Sequence, residues 1–136
     1  MYRYPMEPAM THLTEPARET PVYLEVDLCV VGGSCTGVFA AVAAARRGLT
    51  VALVEAMGQF GGNTTSGFVA LWHTFKDTRG ERTIIGGLSA EMVKRLARRG
   101  AVHEISQSNP SAAFELNPSE TAIELDALVT ENAIHP

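Results

Sequence analysis

Two cysteines in 136 residues, Cys29 and Cys35, are too few for a disulfide framework. They suit a reduced, cytoplasmic protein. No apolar run approaches the ~20 residues of a membrane-spanning helix. The opening Met1 to Thr20 lacks the hydrophobic core of a signal peptide. Basic residues are outnumbered, 11 Lys+Arg against 15 Asp+Glu, and the net charge is -4. With no Lys/Arg cluster on a periodic face, the chain is a poor nucleic-acid binder. The four histidines fall at no ligand spacing, so no metal site is expected. What is present, 46% hydrophobic and 19% charged residues, fits one globular domain burying roughly two-thirds of its unfolded surface.

Glycine and proline divide the chain. All 12 glycines lie between Gly32 and Gly100, and four of the 7 prolines precede Val22. Residues 1–21 are expected to be a flexible Pro-rich leader, and 22–136 the folded part. Leu24 to Val31 is a short, branched, apolar run and predicts a buried strand. Thr36 to Arg47 predicts an alanine-rich helix that packs closely on a sheet. Arg46 and Arg47 complement its negative end, and Gly48 closes it. Leu49 to Val54 predicts a second buried strand. Strand, glycine turn, helix and strand in about 30 residues make a βαβ unit with a parallel pair. Residues 56–87, with seven glycines, predict loops and a short helix near Gly67–Leu71. Leu88 to Arg99 predicts a helix stopped by Gly100, with Arg95, Arg98 and Arg99 as ordinary helix-end cations. Phe114 to Leu116 suits a short strand. Asn117-Pro118-Ser119-Glu120 starts a last helix, running to about Glu131, with Asn117 as cap and Glu120 reaching back. A further strand is expected to begin after it.

The chemistry sits in Val30-Val31-Gly32-Gly33-Ser34-Cys35-Thr36-Gly37. Set on G-x-G-x-x-G, Gly32 turns the chain off the strand and Gly37 lets the helix pack tightly. Ser34 stands where the second glycine would let backbone approach a pyrophosphate. Its Cβ crowds that side, while its hydroxyl can donate a hydrogen bond. The helix N-terminus offers free N–H groups and partial positive charge to phosphates. Glu55 ends the second strand 23 residues after Gly32, near the ~20 expected of a ribose-binding acid. That carboxylate would repel a 2′-phosphate. The pattern points to dinucleotide binding against a packing-only strand–turn–helix, and leaves FAD and NAD open. The second glycine pair, Gly61-Gly62, so soon after Glu55 favours FAD.

Together VVGGSCTG, ARRGLTVALVE and GQFGGNTTSG resemble the N-terminal FAD-binding region of glutathione-reductase-like flavoproteins. Within that class the chain is similar to the FAD-dependent oxidoreductase family with G-G-x-x-T-S-G after the ribose acid. IIGGLSAEMVKRL resembles that family's I-G-G helix, and ELNPSETAIELDAL its D-P-E helix. The resemblance covers residues 24–131. It implies an incomplete, Rossmann-like α/β FAD/NAD(P)-binding unit, the N-terminal fragment of a larger enzyme. It implies that Gly32, Gly33, Ser34, Cys35, Thr36 and Gly37 line the FAD pyrophosphate, and that Glu55 binds the adenosine ribose. Gly61, Gly62, Asn63 and Thr64 would approach the pyrophosphate or flavin side, and Thr65 to His73 would pass near the isoalloxazine. The parent would oxidise or reduce a small-molecule substrate, and this chain alone is expected to be inactive. The alternatives are an NAD-linked dehydrogenase fragment and a non-catalytic nucleotide-binding or interaction module. Disulfide reductases of the class carry a cysteine pair after the glycine pair; Asn63-Thr64-Thr65-Ser66 has none, so dithiol chemistry is not expected.

Single residues are weighed against plainer roles. Cys29 suits a buried small hydrophobe. Cys35 lies at a helix N-terminus, which can lower a thiol pKa. His73 suits a satisfied loop histidine more than a flavin-linking one, and Trp72 core more than ring stacking. Lys76 to Arg82 suits a solvated turn. No residue reads as a general acid or base, so the catalytic residues stay unassigned.

Overall fold

The computed structural model describes residues 12–105 and 112–136. Of the expected leader, residues 12–21 are exposed and carry no secondary structure, and the first eleven lie outside the described residues. The apolar run from Leu24 yields the four-residue strand β1 (Leu28–Val31). It pairs in parallel with β2 (Val51–Val54), Leu28 opposite Val51 and Val31 opposite Val54. Asp27 fixes the register, its carboxylate accepting from the Thr50 N–H at 2.8 Å and the Thr50 hydroxyl at 2.6 Å. Helix α1 (Cys35–Ala45) connects the two strands. On the other edge of β2, the Leu53 N–H donates to the His135 carbonyl at 2.8 Å and the His135 N–H to the Val51 carbonyl at 2.9 Å. This parallel bridge adds a third strand segment where one is expected. The architecture is thus α/β with the Rossmann-like βαβ start expected from the sequence.

Three helices close over one side of this sheet. From α1, Val38, Ala41 and Val42 are buried against Val51 and Leu53 of β2. Helix α2 (Leu88–Arg98) adds Met92 and Leu96, and α3 (Pro118–Glu131) adds Leu125, Leu128 and Val129. Ala41 is fully buried, and its small side chain lets α1 sit close. Alternation along β1 sends Leu28 and Val30 toward this core and Cys29 and Val31 away from it. Cys29 is therefore exposed, contrary to the expected buried position, and Val31 is 82% exposed. An apolar strand run signals a buried strand without saying how many of its faces are covered.

Residues 56–87 depart most from expectation. The short helix is a single 3-10 turn over Gly62–Thr64, not a helix near Gly67–Leu71. There the Gly67 N–H returns to the Gly62 carbonyl (3.1 Å), the Val69 N–H to Asn63 (2.8 Å), and Phe68 takes a positive φ of 54°. Three strands absent from any local periodicity or only partly visible in it follow: β3 (Leu71–His73), β4 (Val102–Glu104) and β5 (Ala112–Leu116). They form an antiparallel sheet in the order β3-β5-β4, and β5 contains the strand expected at Phe114–Leu116. Lys76 to Arg82 is a turn. The Asp77 carboxylate accepts from the Arg79 and Glu81 N–H groups, and Lys76 pairs with Thr83 across it.

The helix ends also repay comparison. Asn117 caps α3, accepting from the Glu120 N–H at 3.1 Å. Glu120 does not reach back; its carboxylate pairs with Arg99, and the Asn117 N–H goes to the Ala101 carbonyl at 2.9 Å. Helix α1 stops at Ala45. Arg47 bonds the Ala43 carbonyl at 3.1 Å, as a helix-end cation should. Arg46 instead takes Glu91 of α2 in a two-pronged pair at 2.7 and 2.8 Å. Arg95, expected as an ordinary helix-end cation, is 19% exposed and shared by Glu91, Glu124 and Glu131. The Arg46 hydrogen bonds, then those of Arg95, bring the Glu91 carboxyl down to about 2. One ion network therefore ties α1, α2 and α3 together. Among the described residues no helix is long and apolar enough to cross a membrane.

Candidate functional site: a cleft at paired glycine turns

The first glycine turn leaves β1 at Gly32, whose φ of 104° is open to glycine. The Gly32 N–H donates to the Val54 carbonyl at 2.8 Å. Ser34 is the N-cap of α1, its hydroxyl accepting from the Gly37 N–H at 3.4 Å. A Cβ on Gly37 would overlap the Gly32 carbonyl oxygen and lie 3.0 Å from its carbon. Gly37 is thus needed because backbone meets backbone. A Cβ on Gly33 would run into the Phe60 ring. The Gly33 N–H donates to Glu55 at 2.6 Å, and the Met57 N–H donates to the other Glu55 oxygen at 2.8 Å. These bonds, the Met57 one foremost, hold the Glu55 carboxyl below the usual carboxylate range, so it stays ionised at neutral pH.

The second glycine turn lies directly on the first. The Gly61 N–H donates to the Gly33 carbonyl at 2.8 Å, and Gly61 bridges Ser34 in parallel fashion. A Cβ on Gly62 would sit 3.1 Å from the Ser34 Cβ. The Cys35 thiol donates to the Gly61 carbonyl at 3.6 Å. Burial pushes this thiol up in pKa, opposite to the lowering that a helix N-terminus can bring. Desolvation outweighs the hydrogen bonds from Thr64 and the main chain that pull the other way. Thr65 braces the turn from within, its hydroxyl donating to the Phe60 carbonyl at 2.6 Å.

The two turns open onto a cleft of about 640 Å³. Ser34, Cys35 and Thr36 contribute from α1, Gly61, Gly62, Asn63 and Thr64 from the second turn, and Leu71, Trp72 and His73 from β3. Of the eleven residues singled out in the sequence, seven line this one cleft. Gly32, Gly33 and Gly37 shape the turn behind it. Glu55 borders a separate hollow of about 230 Å³, with Leu53, Phe60 and Asp126. The cleft also has residues not anticipated: Phe39, Phe75, Ile85 and Ser89. Phe39 was open to discovery, since it follows Cys35 by one helical turn on the same face. The others arrive through tertiary pairing. Phe39 meets Trp72 edge-on (6.3 Å between ring centres), Trp72 meets Phe75 (6.3 Å), and Phe75 meets Phe114 (4.8 Å). Trp72 packs against the core, as expected, and also lines the cleft. Among the described residues no group of three or more His, Cys, Asp or Glu side chains could hold a metal ion.

Comparison with known proteins shows what the chain and its fold are similar to. A 47-residue stretch is 53% identical to a ferredoxin–NADP reductase of Saccharopolyspora erythraea, covering 35% of this chain and 14% of that protein. The fold is similar to the crystal structure of Thermovibrio ammonificans THI4, with a TM-score of 0.50 and 18% identity over 81% of this chain and 37% of that one. The chain therefore spans about a seventh of the curated relative and little more than a third of the solved structure. Residues 27–135 match the FAD dependent oxidoreductase family, which resolves the choice between FAD and NAD in favour of FAD. The chain belongs to the FAD dependent oxidoreductase family.

Proposed function

We propose that this chain is the ADP-cradling, N-terminal part of an FAD-dependent oxidoreductase acting on a small-molecule substrate. The observation that carries the reading is the backbone-to-backbone union of the two glycine turns at the N-terminus of α1, facing one cleft. The residues fit the cofactor. A Cβ would strike the Gly32 main chain at Gly37, Thr65 and Leu125 at Gly61, and Ser34 at Gly62, and the first N–H groups of α1 have no helical partner. Those N–H groups and the field of α1 suit a pyrophosphate. Ser34 and Thr36 add hydroxyls at the same terminus. Glu55 keeps its charge, and each of its oxygens has a lone pair beyond the one used by the main chain, which suits ribose hydroxyls. Asn63 and Thr64 lead from the turns toward the aromatic wall of Phe39, Trp72 and Phe75, a surface suited to a flat ring system.

FAD, when bound, supplies the redox chemistry; these residues bind it, orient it and set its surroundings. The test is a titration of the protein with FAD, followed by flavin fluorescence. Saturable binding is expected, weakened about tenfold by Glu55→Gln, the scale of a lost charge-assisted hydrogen bond. Absence of saturable binding to folded protein would overturn the proposal.

A further inference from the structure

The glycines explain how the two turns can touch and Thr65 braces the second turn from within, but neither fixes its far side. Its outer end is Thr64, only 7% exposed although it borders the cleft. The Thr64 hydroxyl accepts a hydrogen bond from the Trp72 indole N–H at 3.3 Å. It is also a hydrogen-bond partner of the Cys35 thiol, which donates to the Gly61 carbonyl. The Thr64 N–H returns to that same carbonyl at 3.2 Å. Trp72 is held in turn by Phe39 of α1 edge-on and by Phe75. The indole thus bridges three parts: helix α1, the second glycine turn and the antiparallel sheet.

We propose that Trp72 and Thr64 are positioning residues that lock the second glycine turn against the N-terminus of α1 in the FAD-binding arrangement. The inference rests on the FAD-binding reading above, and adds to it a role for residues whose side chains would otherwise be core and lining. Three features favour it over simple packing. An indole N–H is a donor only, and here it finds its partner on the turn itself. Thr64 is a β-branched residue with one strongly restricted χ1, so its hydroxyl is held rather than searching. Burial keeps the Cys35 thiol protonated, hence a donor to the turn rather than a charge beside it. A turn fixed before the cofactor arrives spares the ordering cost at binding.

The test is a double-mutant cycle of Trp72→Phe and Thr64→Val, with Thr64→Ser as the conservative variant, read by FAD titration and by thermal unfolding without FAD. Trp72→Phe and Thr64→Val are each expected to weaken FAD binding about fivefold, the scale of one neutral hydrogen bond. The double variant should be no weaker than either single one, because both remove the same bond. Thr64→Ser should keep clearly more FAD affinity than Thr64→Val, which separates the hydroxyl from the bulk of the side chain. Flavin absorbance of the bound forms should shift in Trp72→Phe and not in Thr64→Ser. Unchanged affinity in Trp72→Phe, fully additive losses, or a Thr64→Ser loss equal to that of Thr64→Val would each overturn the inference while leaving the FAD reading intact. Should Thr64→Val fail to fold, Trp72→Phe against Thr64→Ser still decides. Failure of the parent protein to bind FAD would instead remove the reading on which the inference rests.

Discussion

Replacing Gly37 by alanine sets two effects against each other. Alanine in the body of a helix is favoured over glycine by about 1 kcal/mol. Against that, the new methyl would occupy the place of the Gly32 carbonyl oxygen and stand 3.0 Å from its carbon. Neither atom belongs to a side chain that can swing aside. The Gly32 residue is itself pinned, since its N–H is committed to the Val54 carbonyl at 2.8 Å. Relief requires α1 to move off the end of β1, disturbing the fully buried Val38 and Val42. Overpacking typically costs about 1–3 kcal/mol, and neighbours that are main chain put this site at the upper end. The net expectation is a loss of about 2 kcal/mol, or a melting point lower by roughly 6–10 °C for a chain of this size. Thermal unfolding by circular dichroism measures it, with Gly58→Ala as the reference, because a Cβ there meets nothing within 4 Å. Gly37→Ala should also weaken FAD binding, since it displaces the N-terminus of α1. If Gly37→Ala melts and binds FAD like Gly58→Ala, the tight turn is not what places the helix.

The acid limb of stability should depend on Glu91. Its folded pKa of about 2 lies below the ordinary value of 4.5, so its contribution is full above the ordinary value and fades as pH falls from there through about 2. Glu91→Gln should lower the urea midpoint at pH 7 and flatten its fall between pH 5 and pH 2.5; parallel curves would refute the assignment. The two thiols should part company with a thiol reagent at pH 7.5. Exposed Cys29 should react quickly and Cys35, desolvated and raised in pKa, slowly. Cys29→Ser should remove the fast phase, and a Cys35 rate equal to that of Cys29 would contradict the burial.

What was legible in the sequence follows the range of the forces involved. Leu28 to Val54 could be read because each decision there is local: apolar runs for β1 and β2, glycine at positive φ at Gly32, alanines along α1. The Asn117 cap was legible for the same reason. The strands β3 and β4 were not, because three residues show no period and each is held only by its pairing with β5, about forty residues on from β3 and about ten from β4. The exposure of Cys29 depends on which layers cover β1, not on its neighbours in the chain. Arg95 was misjudged because its three carboxylates come from two helices. Within the site, the glycine turns were foreseeable and their aromatic wall was not, since only tertiary folding brings Phe75 and Ile85 to Cys35.

The second edge of β2 is covered by His135, about eighty residues further along the chain. The first edge is covered by β1, about twenty residues back. Loop-closure entropy makes the longer closure dearer by about 1 kcal/mol. Formation of the sheet therefore has a natural sequence in time: the β1–β2 pair first, then the distant strand. A nascent chain can assemble the half with the first glycine turn while the residues that seal β2 are still unmade. Until they arrive, one edge of β2 stays open to pairing with another chain.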